Sequence, residues 1–187
     1  TGERFDNLKN KYYSELSGDV FDGNGGRAGM KRSNLQGGIR TPLIVRWPNK
    51  IKANTTSDKL VANYDLLPTI AEITGFDQKL NVDGQSFLKE LIGKKSKSSH
   101  DYLVYSSFEG PTLITHDGWK IRSYLKENVL ELYYLPNDFK EENNLANKYP
   151  EKLKELHQSL LVACDHDLQN GLYGNKSQIS LKPIINN

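Results

Sequence analysis

The chain has 187 residues, room for one full domain or two small ones at roughly 100–200 residues each. Twenty-five Lys and Arg against 23 Asp and Glu leave a net charge of +2, too weak a field to hold nucleic acid or an anionic membrane. One cysteine excludes an internal disulfide framework and a Cys-rich zinc site. No apolar run approaches the ~18–20 residues of a membrane span, and no charged-then-apolar leader pattern is present. A mean hydropathy of −0.65 with 36% hydrophobic residues is lean for an independent core, while 10% aromatics in short apolar blocks argue against disorder.

In chain order, Phe5, Leu8, Tyr12 and Leu16 fit one face of a weak amphipathic helix over 1–17. Glycines at 18, 23, 25, 26 and 29, with Asp19, Asp22 and Asn24 among them, make a loop. Leu43-Ile44-Val45, bracketed by prolines, predicts a short buried strand of a mixed or parallel sheet. Residues 51–56 read as an exposed turn. Asn63 or Asp65 caps a helix to Ile73 with Leu66, Leu67, Ile70 and Ile73 on one stripe and Gly75 as its stop. A short helix carries Phe87, Leu88, Leu91 and Ile92, and residues 93–100 form a solvated linker.

Beyond the linker the pattern changes to four strand-like blocks, Tyr102–Ser107, Thr112–His116, Trp119–Leu125 and Val129–Leu135. Asp117-Gly118 predicts a two-residue hairpin turn between the second and third, and the set predicts an antiparallel meander. Pro150 opens a helix to about Leu168 with Leu153, Leu156, Leu160, Leu161 and Cys164 at helical spacing. The last nineteen residues form an irregular tail. One strand before residue 60 cannot make an open sheet. With Met30 the only methionine, the expectation is a processed chain or a piece of something longer, and the lone strand favours the piece.

Few residues carry chemistry by spacing alone. Lys31-Arg32, between a glycine loop and the Gly37-Gly38 pair, is either a point donor for a sulfate or phosphate or a solvated loop pair. The phosphate-cradling order G-x-x-x-x-G-K-[ST] is absent. Cys164 and His166 fall on different helix faces, and with His157 they read as a buried thiol beside a polar helix end. His116 beside Asp117 lacks a nucleophile context and is a pocket candidate at most. Phe108-Glu109-Gly110-Pro111 is a turn able to present an aromatic ring and a carboxylate to a ligand. Asn54-Thr55-Thr56 and Asn175-Lys176-Ser177 match the glycosylation pattern, which matters only in a secreted eukaryotic protein.

Taken in order, the motifs resemble one family. Gly29-Met30-Lys31-Arg32 through Gly37-Gly38-Ile39-Arg40-Thr41-Pro42 to Arg46-Trp47-Pro48, Asp65-Leu66-Leu67-Pro68-Thr69 and Asp83-Gly84-Gln85-Ser86-Phe87 resemble stretches of the formylglycine-dependent (type I) sulfatases of the alkaline-phosphatase-like superfamily. So do Trp119-Lys120-Ile121, Glu131-Leu132-Tyr133 and Glu142-Asn143-Asn144-Leu145-Ala146. The departures are Gln36 for the usual Glu, Phe139 for Pro and Tyr134 for Asp. The resemblance spans roughly residues 18 to 165. It implies an α/β fold: the C-terminal end of an alkaline-phosphatase-like core over 1–93, then a four-stranded antiparallel sheet packed with a C-terminal helix over 94–168, then a tail over 169–187.

The resemblance also implies a parent enzyme that hydrolyses sulfate esters, often on carbohydrates, with a formylglycine nucleophile and a Ca2+ ion. Neither the "C/S-x-P-x-R" nor the "D-N-G" motif is in this chain, and Asp22-Gly23-Asn24-Gly25 is only a look-alike. Only Lys31 carries over, as the lysine that contacts the sulfate, with Gly37 and Gly38 as the glycines turning the backbone behind it. Arg32, Phe108, Glu109 and His116 are candidates for the rest of the substrate. The expected partners are a sulfated carbohydrate or aryl sulfate and the N-terminal half of the same enzyme, with a periplasmic, extracellular or lysosomal location. The chain alone is expected to be inactive. The alternatives are a non-catalytic binding module or split subunit, or part of a related phosphodiesterase or phosphonate hydrolase.

Overall fold

The computed structural model describes residues 23–76, 78–95 and 100–173. The helix expected over 1–17 and most of the expected tail lie outside them. In chain order the elements are α1 (Gln36–Ile39), a 3-10 turn Asn63–Asp65 leading into α2 (Leu66–Thr74), α3 (Leu88–Leu91), β1 (Tyr102–Tyr105), β2 (Thr112–Thr115), β3 (Trp119–Tyr124), β4 (Val129–Tyr134), α4 (Pro150–Ala163) and a 3-10 turn Leu168–Gly171. They form two compact units, and residues 23–41 group with those from 104 onward rather than with the segment that follows them.

In the first unit the sheet runs in the order β1-β2-β3-β4. Its antiparallel pairs set Leu113 opposite Ile121, Ile121 opposite Leu132, and Arg122 opposite Glu131. Side chains alternate faces along a strand, so Ile121 points away from Lys120 and Arg122. Leu113, Ile121, Leu132 and Leu160 are fully buried and Leu156 nearly so, as α4 packs on β2 and β3. Pro150 stands at the helix start, where its missing N–H costs nothing. The helix stops at Ala163, five residues short of the expected Leu168, because Asp165 and His166 both take positive φ. The β2–β3 turn has three residues, His116 to Gly118, not the expected two: Thr115 faces Trp119, bonding to it through the Thr115 hydroxyl, and Gly118 sits at φ +88, the glycine position of a three-residue hairpin loop. Leu145 N–H donates to Leu132 O at 2.7 Å and Leu132 N–H to Asn144 Oδ1 at 3.1 Å. The Asn-Leu-Ala motif thereby covers the edge of β4, which would otherwise stay open to another strand.

In the second unit, α2 ends at Gly75, which adopts φ +70 as a left-handed stop. One sequence expectation fails here. Leu43-Ile44-Val45 carry no regular structure and are 51%, 89% and 39% exposed, because a strand exists only through the neighbours its N–H and C=O groups bond to. Leu66, Leu67, Ile70 and Ile73 do share a helix, yet all four stay exposed.

Candidate functional site

The Lys31 loop is shaped by close backbone approach. Gly29 sits at φ +82, and its carbonyl accepts from Asn24 Nδ2 at 2.8 Å. Gly37 N–H donates to Ala28 O at 2.7 Å. A Cβ on Gly37 would lie 2.2 Å from Gly29 O, and one on Gly38 2.3 Å from Ser33 O, so only glycine fits at either position. Between these glycines, Ser33 N–H donates to Met30 O at 3.0 Å and closes a tight turn with Lys31 and Arg32 at its tip, both exposed. Arg32 has φ +83, a conformation that turns usually give to Gly or Asn. The loop therefore holds a bulky cationic residue in a backbone region that costs roughly 1 kcal/mol or more, and it does so beside the lysine.

A buried polar network bolts this turn to the sheet. The Glu109 Oε2 accepts from Ser33 Oγ at 2.9 Å, from Asn34 N–H at 3.1 Å and from Arg122 Nη2 at 2.9 Å. Asn34, fully buried, donates through Nδ2 to Gly110 O at 3.0 Å and Ser123 O at 2.8 Å, and its Oδ1 accepts from Arg122 Nε. Arg122 Nη1 donates to Glu131 Oε2, its cross-strand neighbour. A second cluster lies one turn along the loop: Glu141, held at φ +57, accepts from Lys120 Nζ and from the Gln36 backbone N–H that opens α1. Lys120 and Arg122 lie two apart on β3 and so share a face. Both are buried, which is uncommon for such residues and requires partners.

The electrostatics follow from this burial. Desolvation would lower the Arg122 pKa, but the Glu109 and Glu131 carboxylates outweigh it and hold the guanidinium more firmly protonated than usual. For Lys120 burial wins: its ammonium is pulled down to about 8 despite Glu141. Burial, then Asp165 and Asp167, push the Cys164 thiol up, so this cysteine is a poor nucleophile.

The structure brings together Lys31, Arg32, Phe108 and Glu109 and leaves His116 apart. Phe108 N–H donates to Arg32 O at 3.2 Å, and the Arg32 guanidinium lies 5.1 Å from the Phe108 ring centroid. Glu109 precedes β2, whereas His116 follows it in the exposed hairpin turn. Five residues of strand at ~3.4 Å each separate Pro111 from His116, on the order of 17 Å. Asn34, Arg122 and Glu141 escaped the sequence reading, and Lys120 and Glu131 entered it only as members of motifs, with no role assigned. The available signal was Lys and Arg alternating with apolar residues in one strand, each with a glutamate that strand pairing or a tight turn could deliver.

The second unit explains two further motifs. The fully buried Asp65 accepts from Ala62 N–H and Gln85 N–H, each at 2.8 Å, and pairs with His100 Nε2 at 2.7 Å. Thr69 Oγ1 donates to Asp65 O at 2.6 Å and accepts from Phe87 N–H at 3.1 Å. A Cβ on Gly84 would meet Tyr64 O at 2.1 Å. The Asp-Leu-Leu-Pro-Thr and Asp-Gly-Gln-Ser-Phe motifs are thus the two halves of one hydrogen-bonded joint, and neither presents a reactive group.

Residues 29–166 match the profile of the family described as N-sulphoglucosamine sulphohydrolase, C-terminal. The chain is 36% identical to human steryl-sulfatase over 91 residues, 47% of this chain and 16% of that protein. It is 30% identical to an N-acetylgalactosamine-6-O-sulfatase of Bacteroides thetaiotaomicron over 148 residues, 71% of this chain and 29% of that protein. A solved structure from work on glycosaminoglycan metabolism by the same bacterium superposes with a TM-score of 0.66 at 27% identity, covering 81% of this chain and 35% of the other. The chain therefore spans less than a third of the length of these two curated relatives.

Proposed function

Because the chain belongs to the sulfatase family whose C-terminal profile covers residues 29–166, we propose that it is the C-terminal part of an enzyme hydrolysing sulfate esters on carbohydrates, and that Lys31 binds the sulfate. The observation that carries this reading is the Lys31 turn. A lysine stands at the tip of a glycine-shaped, positive-φ turn that two buried charge clusters hold in place. An ammonium is a compact point charge suited to a tetrahedral oxyanion. Carried on a turn whose backbone is set before substrate arrives, it would stabilise charge on the sulfate oxygens as the ester bond breaks. Arg32, Phe108 and Glu109 would contact the organic part of the substrate, and Gly37 and Gly38 would shape the loop behind the site. His116, at the far end of β2, is left out of this set.

The formylglycine nucleophile and the calcium ion are expectations of the family and belong to the proposed upstream half. Among the described residues no three His, Cys, Asp or Glu side chains group so as to hold a metal ion, so the residues do not fit the calcium and no step is assigned through it. Exposed Leu43, Ile44, Leu67 and Ile70 supply apolar surface for that upstream half to cover. Among the described residues no helix is long and apolar enough to cross a membrane. A periplasmic, extracellular or lysosomal location follows from the family resemblance and is testable by fractionation.

The test pairs the 187-residue chain with a full-length enzyme carrying an upstream half. The chain alone should release no sulfate from a sulfated hexosamine, and detectable turnover would sink the proposal. In the full-length enzyme Lys31→Ala should lower kcat by about 10²–10³, the scale for losing one preorganised charge-stabilising group. A variant with unchanged kcat and KM would remove Lys31 from the site.

A further inference from the structure

We propose that Phe108 and Tyr173 form an aromatic platform, with Glu109 Oε1 beside it as a hydroxyl acceptor, that binds the pyranose ring of a sulfated sugar. This rests on the reading of Lys31 as the sulfate-binding residue, and it assigns the part of the sugar that is gripped and a residue, Tyr173, that the family motifs do not contain. Phe108 and Tyr173 are 50% and 62% exposed, and their ring centroids lie 4.8 Å apart at 54°. A single exposed aromatic needs no explanation. Two in contact, beside a cationic turn, combine apolar area with a few oriented polar groups, as ligand sites do.

The platform is fixed from behind. Tyr173 N–H donates to Ser107 O at 2.8 Å, and Leu172 bridges Ser107 in parallel. Ser107 Oγ donates to Gly110 O at 2.8 Å and accepts from Glu109 N–H at 3.0 Å. The Arg32 guanidinium rests over the Phe108 ring, one residue from Lys31, so platform and sulfate-binding lysine are tied to one turn. Little ordering remains to be done on binding, which favours affinity.

Glu109 selects the ligand class. Ser33, Asn34 and Arg122 all donate to its Oε2, while the side chain remains 26% exposed. Its Oε1 carries none of those bonds and can accept from a hydroxyl. A sugar supplies hydroxyls beside a C–H face that stacks on aromatic rings; a simple aryl sulfate supplies no such donor.

The experiment is an NMR titration of the 187-residue chain with glucosamine 6-sulfate, unsulfated glucosamine, phenyl sulfate and inorganic sulfate. The sulfated sugar should shift the ring signals of Phe108 and Tyr173 together with the Lys31 amide. Tyr173→Ala, at an exposed position, should weaken that binding about fivefold, the scale of one aromatic contact, and leave inorganic sulfate binding unchanged. A sulfated sugar that shifts only the Lys31 turn, or binds Tyr173→Ala as tightly, overturns the platform and spares the Lys31 reading. Rings shifted by both sugars, with the sulfated sugar's affinity indifferent to Lys31→Ala, uphold the platform and overturn the Lys31 reading. Phenyl sulfate binding as tightly as the sugar overturns the pyranose assignment, and silence with all four ligands overturns both.

Discussion

Arg122 meets two carboxylates and one amide from three separate stretches of chain, and its removal would leave Glu131 and Glu109 buried or half-buried without their cation. Breaking such a pair from one side typically costs about 3–5 kcal/mol, so Arg122→Ala should lose that much stability in urea denaturation. Arg122→Lys cannot reproduce three directed donors in one plane and should recover only part of it. Lys120 makes a different prediction. Its folded pKa of about 8 lies below the ordinary 10.5, so between those values the unfolded chain holds more protons and stability rises with pH. The buried charge weighs on the fold below pH 8 and is relieved by pH 10.5. Each tenfold loss of proton affinity on folding corresponds to about 1.4 kcal/mol, so the gain is up to roughly 3 kcal/mol. Glu141, Arg122 and Glu109 are the charged groups that act on Lys120. Denaturation of the wild type against Lys120→Met, measured at pH 7.5 and 10, isolates the effect: the wild type should gain on the variant as pH rises, and parallel curves would contradict it.

At the scale of elements, legibility tracked whether an element is specified locally. The helix that follows Asp65 and stops at Gly75 was readable from its periodicity and its stop signal, although the Asp65 carboxylate makes no cap bond to it and serves the joint instead. So was the meander, whose strand-like blocks are set off by short turn sequences. The Leu43–Val45 strand misled, since an apolar run records what a segment wants to pack against and not whether the neighbour is there. The clamp on the Lys31 turn was invisible for the opposite reason: Asn34 reaches Ser123 across 89 positions and Gln36 meets Glu141 across 105. The Gly37-Gly38 pair was legible as a motif, and the structure supplies its cause in the carbonyls that a Cβ would strike. Gly38→Ala must displace the Ser33 or Met30 carbonyl and with it the turn that presents Lys31. It should cost about 2–3 kcal/mol and, in the full-length enzyme, lower kcat more than an equally destabilising substitution in α4 such as Leu156→Ala. Equal effects on kcat would mean the loop tolerates the shift.

At the scale of the whole molecule, the two units differ in how well they satisfy themselves. The unit built on the sheet buries an apolar core and pairs its buried charges. The unit around α2 keeps its polar joint at Asp65 intact yet exposes Leu43, Ile44, Val45, Leu66, Leu67, Ile70, Ile73 and Phe76. Helix and joint form without these side chains being covered, so the joint is what makes the unit hold shape and the apolar residues are free to serve a partner surface. Exposed large apolar side chains in this number mark an interaction site or an aggregation liability, and the two are separable by substitution. Ile44→Ser with Ile70→Ser should leave the melting temperature of the chain within about 2 °C, since exposed positions shift stability little. It should also lower concentration-dependent association in sedimentation velocity. The same pair in the full-length enzyme should destabilise it by several kcal/mol, because there the side chains would be buried and each large-to-polar change would cost burial and desolvation together. A full-length protein indifferent to both changes would show that this surface faces solvent in the complete enzyme as well. The partner would then have to be sought elsewhere on the molecule.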